Sequence, residues 1–284
     1  MNPTPHAVRL GLSRGWTEFR YSLTNPQEIG YTLFSTAAFI VVLSFQRDAT
    51  VPGTDLSLAA ATLPGILGLG MGFNGLLGAV GALAVEREDG TLLRAKALPQ
   101  GMIGYLVGRV VSLSLSALGA LVLVLLAGLV LVPELAGAGL AGWLTVAWVA
   151  VLGLLATLPW GAVIGSLATS PQAAAGLSML SFGALAAVSG IFYPITALAT
   201  WLQTLAQVFP LYWLGLGMRS ALLPGAAAAA ELGGSWRSLE TLGVLLAWTV
   251  AGLLLAPPIL RRMARRESGS AMQARRERVL RRIG

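Results

Sequence analysis

Residues 142–193 read GWLTVAWVAVLGLLATLPWGAVIGSLATSPQAAAGLSMLSFGALAAVSGIFY, and they sit inside a run from Leu135 to Met218 that holds no Asp, Glu, Lys or Arg. A membrane helix needs about 20 consecutive apolar residues, so the run is too long for one span. Thr169-Ser170-Pro171-Gln172 reads as a tight turn. It divides the run into a span at 142–168 and another at 173–193. Working outward, charge-free windows at 29–46, 56–85, 110–133 and 241–260 supply four more. The expected fold is an all-α membrane protein with six spans, built as a single membrane domain over 1–284.

Composition agrees. Of 284 residues 56% are hydrophobic and 11% charged, against about 25% charged in a soluble domain. Mean hydropathy is +0.76. The absence of cysteine removes disulfides, thiolate metal sites and a cysteine nucleophile. With His6 the single histidine, no multi-histidine metal site can form, and no metal is expected. One lysine against eighteen arginines, in an Ala-, Gly- and Leu-rich chain, fits a GC-rich bacterial genome.

Six spans put both termini on one side of the membrane. With the N-terminus inside, sixteen of the nineteen basic residues are internal: Arg9, Arg14, Arg20, Arg87, Arg94, Lys96, Arg109 and nine arginines after residue 260. Only Arg47, Arg219 and Arg237 fall outside. The positive-inside rule therefore places both termini in the cytoplasm of a multi-pass bacterial inner-membrane protein. The net charge of +7 is thus a topology signal, and nucleic acid is not an expected partner. The tail at 261–284 opens with Arg261, Arg262, Arg265 and Arg266. At about 1 kcal/mol each beside an anionic leaflet, these are expected to anchor the last span, with a specific contact to a partner protein as the alternative.

Two segments are irregular. In the lead at 1–28, Val8, Leu12, Trp16, Phe19 and Leu23 recur at helical spacing, while Arg9, Arg14, Glu18 and Arg20 point elsewhere. That is the pattern of an amphipathic helix in the membrane interface. Residues 194–224 are apolar but broken by Pro194, Pro210 and Pro224. Their pieces are too short to span and are expected to be re-entrant on the external face.

Three motif matches lead nowhere. Gly11-Leu12-Ser13-Arg14-Gly15 has the form of a nucleophile elbow, but the only histidine precedes it. Gly70 to Gly75 and Gly137 to Gly142 have dinucleotide-fingerprint spacing without the soluble strand that motif requires. Small residues three or four apart permit close helix packing instead, as at Gly68, Gly72, Gly75 and Gly78, at Gly104 and Gly108, and at Gly161 and Gly165. There is no Walker-type phosphate loop. The six windows contain no ionisable Asp, Glu, Lys, Arg or His of the kind ion-coupled carriers use.

The densest charge before the tail is the loop Glu86-Arg87-Glu88-Asp89-Gly90-Thr91-Leu92-Leu93-Arg94-Ala95-Lys96-Ala97-Leu98-Pro99. Asp89 or Thr91 can cap a short helix that Pro99 ends, with Leu92, Leu93 and Leu98 as its apolar side. Gly90 permits the turn into it. Glu86 and Glu88 are expected either to meet a partner or to anchor the loop against Arg87 and Arg94.

This loop, with its acidic run, Gly-Thr and Leu-rich turn to Pro, resembles that of the ABC-2 type transporter permeases, in particular the drug-resistance exporter branch. Gly108-Arg109, Ser189-Gly190-Ile191-Phe192-Tyr193-Pro194, Phe209-Pro210-Leu211-Tyr212 with Arg219, and the Arg-Gly-Trp-x-Glu-Phe-Arg of 14–20 are similar in the same order. Leu98 departs from the family's usual Thr or Ser.

The resemblance implies the ABC-2 (type V) exporter fold and a non-enzymatic permease without cofactors of its own. A second permease copy or paralogue and two copies of an ABC ATPase, which binds ATP and Mg, would complete the complex. Glu86, Arg87, Glu88, Asp89, Gly90, Thr91, Arg94 and Pro99 would form the coupling helix, beside an interface helix carrying Arg14, Trp16, Glu18 and Phe19. Phe73, Asn74, Met179 and Phe182 would line a substrate cavity at the dimer interface, and Phe192 and Tyr193 an outer gate. The cargo would be a hydrophobic drug, natural product or lipid crossing the bilayer. A lipid-linked glycan or polymer, and a membrane anchor or assembly subunit that transports nothing, are the alternatives.

Overall fold

The structure, a computed structural model, describes residues 3–51, 56–98, 100–168 and 170–266. The described chain is built from helices: α1 Pro3–Ser22, α2 Pro26–Gln46, α3 Leu58–Glu88, α4 Thr91–Ala97 and α5 Gly101–Leu131, then α6 Gly139–Leu167, α7 Pro171–Val188, α8 Thr200–Val208, α9 Pro210–Leu222 and α10 Ser238–Arg266. Their starts follow local chemistry. Asn25 accepts from the Gln27 amide with Pro26 behind it, Ser57 caps α3 through the Ala60 amide, and Ser170 caps α7 through the Ala173 amide ahead of Pro171.

Among the described residues, five helical stretches are long and apolar enough to cross a membrane: Pro26–Gln46, Leu58–Arg87, Gly101–Leu131, Pro133–Leu167 and Ser238–Met263. They cover five of the six expected windows, save one or two residues at an end of three of them. The sixth, 173–193, differs. The apolar helix there ends at Val188, giving a rod of about 27 Å at 1.5 Å per residue, and Gly190 at φ 66 turns the chain. A lack of charge had extended the reading to 193, whereas the backbone stops where the Ser189 amide bonds back to Ala186 O. The opposite happens at the other end of the bundle. There α3 continues to Glu88 and α5 begins at Gly101, so Glu86 and Arg109 lie on the long helices.

The bundle is centred on α3 crossing α6, with α9 enclosed between them and α10. Every residue of α9 except Ser220 is buried. Helices reach it through missing side chains: a Cβ on Gly68 of α3 would come within 2.9 Å of the Gly215 backbone nitrogen. Segment 194–224 is therefore two short helices, α8 and α9, meeting at Phe209-Pro210. At its end Arg219 forks onto the nearly buried Glu231, with N–O distances of 2.6 and 3.3 Å. Helix α2 stands at the periphery against α5 and α3, burying only Thr36 and Leu43. Gly68→Leu has no soft atom to displace, and overpacking of this kind costs about 3 kcal/mol. Its unfolding temperature in detergent should fall sharply; an unchanged temperature would mean that α3 and α9 do not pack backbone to backbone.

Helix α1 lies along the first turns of α5. The seam is not the Val8–Leu12–Trp16–Phe19–Leu23 stripe. It is Ala7, Gly11 and Gly15, all buried, while Leu12, Trp16 and Leu23 are exposed. A Cβ on Gly11 would lie 2.6 Å from Gly104 O, and one on Gly15 would lie 2.6 Å from Gly108 O. Two Gly-x-x-x-Gly strips thus face one another, and the spacing that imitates a hydrolase elbow is a packing device.

Candidate functional site

The chain between α3 and α5 leaves α3 through Gly90, held at φ 79, a left-handed conformation that costs glycine nothing. The Asp89 carboxylate accepts from the Thr91 amide at 2.8 Å, and Arg94 Nη2 donates to the Thr91 hydroxyl at 3.0 Å. Helix α4 follows and gives way to extended backbone at Leu98. Pro99 and the Glu88 side chain lie outside the described residues. Gln100 then takes φ 55, so left-handed residues bracket α4 at both ends.

Helix α4 has two sides. Leu92 and Ala95 are buried against Leu83 and Tyr105 and against Ala256, Leu260 and Met263 of α10. Leu93 is half-buried, while Arg94, Lys96, Ala97 and Leu98 face away from the bundle, Leu98 being 64% exposed. The apolar side is thus Leu92 with Ala95, not the expected Leu92, Leu93 and Leu98, and Leu98 belongs to the outward surface. Arg87 reaches across to the end of α6. Its Nη1 donates to Ala168 O at 2.8 Å, fastening the end of α3 to the end of α6.

Glu86 is buried, with 6% of its surface exposed. It accepts from the Tyr105 hydroxyl and lies 3.6 Å from both Arg14 Nη2 and Arg109 Nε. Arg14 Nε donates to Glu18 at 2.6 Å, Arg109 reaches Glu18 at 3.5 Å, and the Arg14 guanidinium sits 5.5 Å above the Tyr105 ring. Two carboxylates and two guanidinia therefore clasp α1, α3 and α5 together. Glu86 takes its partners from α1 and α5, not from Arg87 and Arg94. Of the interface-helix residues, Arg14 and Glu18 belong to this clasp. Trp16 is exposed and tilts against the half-buried Phe19 at 5.8 Å. Tyr105 and Arg109 carry no sequence signal as clasp members, although pairing Gly11 and Gly15 with Gly104 and Gly108 would have brought them into reach.

The remaining expected residues scatter. Phe73 and Phe182 meet edge to face at 5.2 Å. Asn74 spends its amide on Gly70 O of its own helix, and Met179 is exposed. Phe182 alone of the four lines a cavity of about 530 Å³, beside Gly72, Trp160, Phe209 and Trp248. Phe192 is exposed, and the Tyr193 hydroxyl donates to Ala187 O.

Comparison with family models gives a match to the ABC-2 type transporter over residues 16–223. No curated protein matches the chain. The matched stretch starts within α1, two residues after Arg14, and takes in the other clasp residues, α4 and the α8–α9 elbow. The chain therefore belongs to the ABC-2 type transporter family, whose members are the membrane permease subunits that work beside an ABC ATPase.

Proposed function

We propose that the chain is the permease half of an exporter driven by two copies of a separate ABC ATPase. In this reading α4 is the coupling helix. The observation that carries it is the two-sidedness of α4: one side is seated on α3, α5 and α10, while Arg94, Lys96 and Leu98 point away from the bundle. An outward face mixing cationic and apolar groups on a helix of fixed ends suits a groove of opposite charge. The clasp connects that helix to α1, so a push on α4 reaches the interface helix through α3 and α5. The strong bias of basic residues to this end supports placing it, with both termini, in the bacterial cytoplasm. Two permease copies, identical or paralogous, would enclose a path for a hydrophobic drug, natural product or lipid. The short α8 and α9 would enter from the outer face without crossing.

Charge reversal on the outward face tests the coupling role. Arg94→Glu with Lys96→Glu should leave the chain inserted and folded, with an unfolding temperature lower by no more than a few degrees. Co-purification with its ABC ATPase should weaken about tenfold or more, equivalent to ~1.4 kcal/mol. ATP turnover by the reconstituted complex should then lose its dependence on the permease. Undiminished association would assign α4 a purely structural role.

A further inference from the structure

Beneath the α8–α9 elbow, the cavity of about 530 Å³ is walled by α3, α6, α7 and α10 within one protomer. Its size falls in the range of small-molecule sites, roughly 300–1,000 Å³, whereas packing defects in protein interiors seldom exceed a water molecule. Four aromatic rings, those of Trp160, Phe182, Phe209 and Trp248, contribute to the wall. Trp160 and Trp248 meet edge to face at 4.9 Å, and Phe209 tilts against Trp248 at 5.9 Å.

The polar atoms of this wall are nearly all committed. Trp160 donates its indole N–H to Trp248 O at 3.2 Å, and Trp248 donates its own to Val208 O at 2.8 Å. The Thr157 hydroxyl donates to Gly153 O at 2.8 Å. No Asp, Glu, Lys, Arg or His lines the cavity among the described residues. The half-buried Ser181 hydroxyl is the one side-chain hydrogen-bonding group of the wall left available.

We infer that this cavity is a binding site, inside a single protomer, for a neutral and mostly apolar small molecule bearing one hydrogen-bonding group. A charged ligand would lose its hydration with no counter-charge in reach. An apolar ring system or chain gains dispersion contacts with the four rings, and one hydroxyl or carbonyl pairs with Ser181. Two sources share this chemistry, a cargo molecule and a resident membrane lipid. Of the four residues expected to line a substrate cavity, Phe182 is in this wall and Phe73, Asn74 and Met179 are not. Nothing in the inference depends on α4 or on an ATPase.

The probe is benzophenone, which is neutral, carries a single carbonyl as its hydrogen-bonding group and inserts into nearby C–H bonds on irradiation. The full chain is reconstituted in phosphatidylcholine nanodiscs, and adducts are mapped by peptide mass spectrometry. Saturable labelling concentrated on 156–164 and 181–188 is expected. Ala184→Trp, which adds bulk at the wall, should cut that labelling about tenfold, as loss of ~1.4 kcal/mol would, and leave α2 labelling unchanged. Ser181→Ala should weaken it about fivefold, the worth of one hydrogen bond. The anionic 4-benzoylbenzoate should not label these peptides saturably. Non-saturable labelling spread over exposed helices, or equal labelling by the anionic probe, would overturn the inference. Ser181→Ala and the anionic probe keep the test decisive if Ala184→Trp does not fold. Among supporting results, lipid that co-purifies stoichiometrically and is lost in Ala184→Trp identifies a resident lipid, whereas labelling of lipid-free protein identifies the site as one for cargo.

Discussion

Glu86→Ala should destabilise the bundle by about 3 kcal/mol, because it leaves Arg14 and Arg109 without the carboxylate between them. The value sits at the low end for a broken buried ion pair, since Glu18 still faces both arginines. The unfolding temperature in detergent should drop by on the order of 5–10 °C. Helix α1 should become more open to protease, because its hold on α5 is then the glycine seam, the long Glu18–Arg109 pair and the Arg14–Tyr105 stacking, without the buried carboxylate. Glu86→Gln keeps an acceptor for Tyr105 without the charge and should fall between. Combined with Arg109→Ala, the loss should be well short of additive, since each change removes the same contact. Wild-type stability in Glu86→Ala would return Glu86 to the role of an outward coupling charge.

The second large effect is expected at Gly90. Alanine there must adopt a left-handed backbone at a cost of about 1–2 kcal/mol, and coupled ATP turnover should fall roughly tenfold. Proline cannot reach φ 79 at all, so Gly90→Pro should bring permease-dependent ATP turnover to background. The buried contacts of α3, α6 and α9 are distant from this turn, so the unfolding temperature should fall by only the few degrees that this local cost implies. Measuring both quantities on the same reconstituted sample separates a loss of transmission from a loss of fold. Full turnover in Gly90→Pro would mean that the entry to α4 is not part of the coupling path.

What the sequence made readable is what depends on neighbours along the chain. Gly90, Asp89 and Thr91 shape the start of α4 within three residues of one another, and Ser170-Pro171 starts α7 in the same way. Charge-free windows located five long helices because removing an ion from water is costly enough to leave gaps in composition. The sixth window misled at 189–193, where Ser189 and Gly190 bend an apolar chain that charge counting cannot see bending. Partners distant in sequence were invisible. Glu86 looked like a loop charge because Arg14 and Arg109 reach it from other helices, and Arg87 is bound to Ala168 O. On α1 the hydrophobic stripe was real, yet the packing face was the glycine strip beside it. Phe182 reached a cavity and Met179 did not, although both lie on α7 and only the packing of α3, α6 and α10 decides between them.

The clasp also bears on the order in which the protein is made. Helix α1 leaves the ribosome before the strip of α5 it packs on exists. The hydroxyls of Ser22 and Ser116 approach to 3.5 Å across 94 residues of sequence, a gap that translation at 5–20 residues per second fills in about 5–20 s. During that interval Leu12, Trp16 and Leu23 can hold α1 at the membrane surface. Glu86 then arrives on α3 with Arg14 already synthesised and Arg109 still to come. Only when α5 has inserted are all four charges balanced, so the group that stiffens the finished permease leaves a stalled or truncated chain with a carboxylate short of its counter-ion.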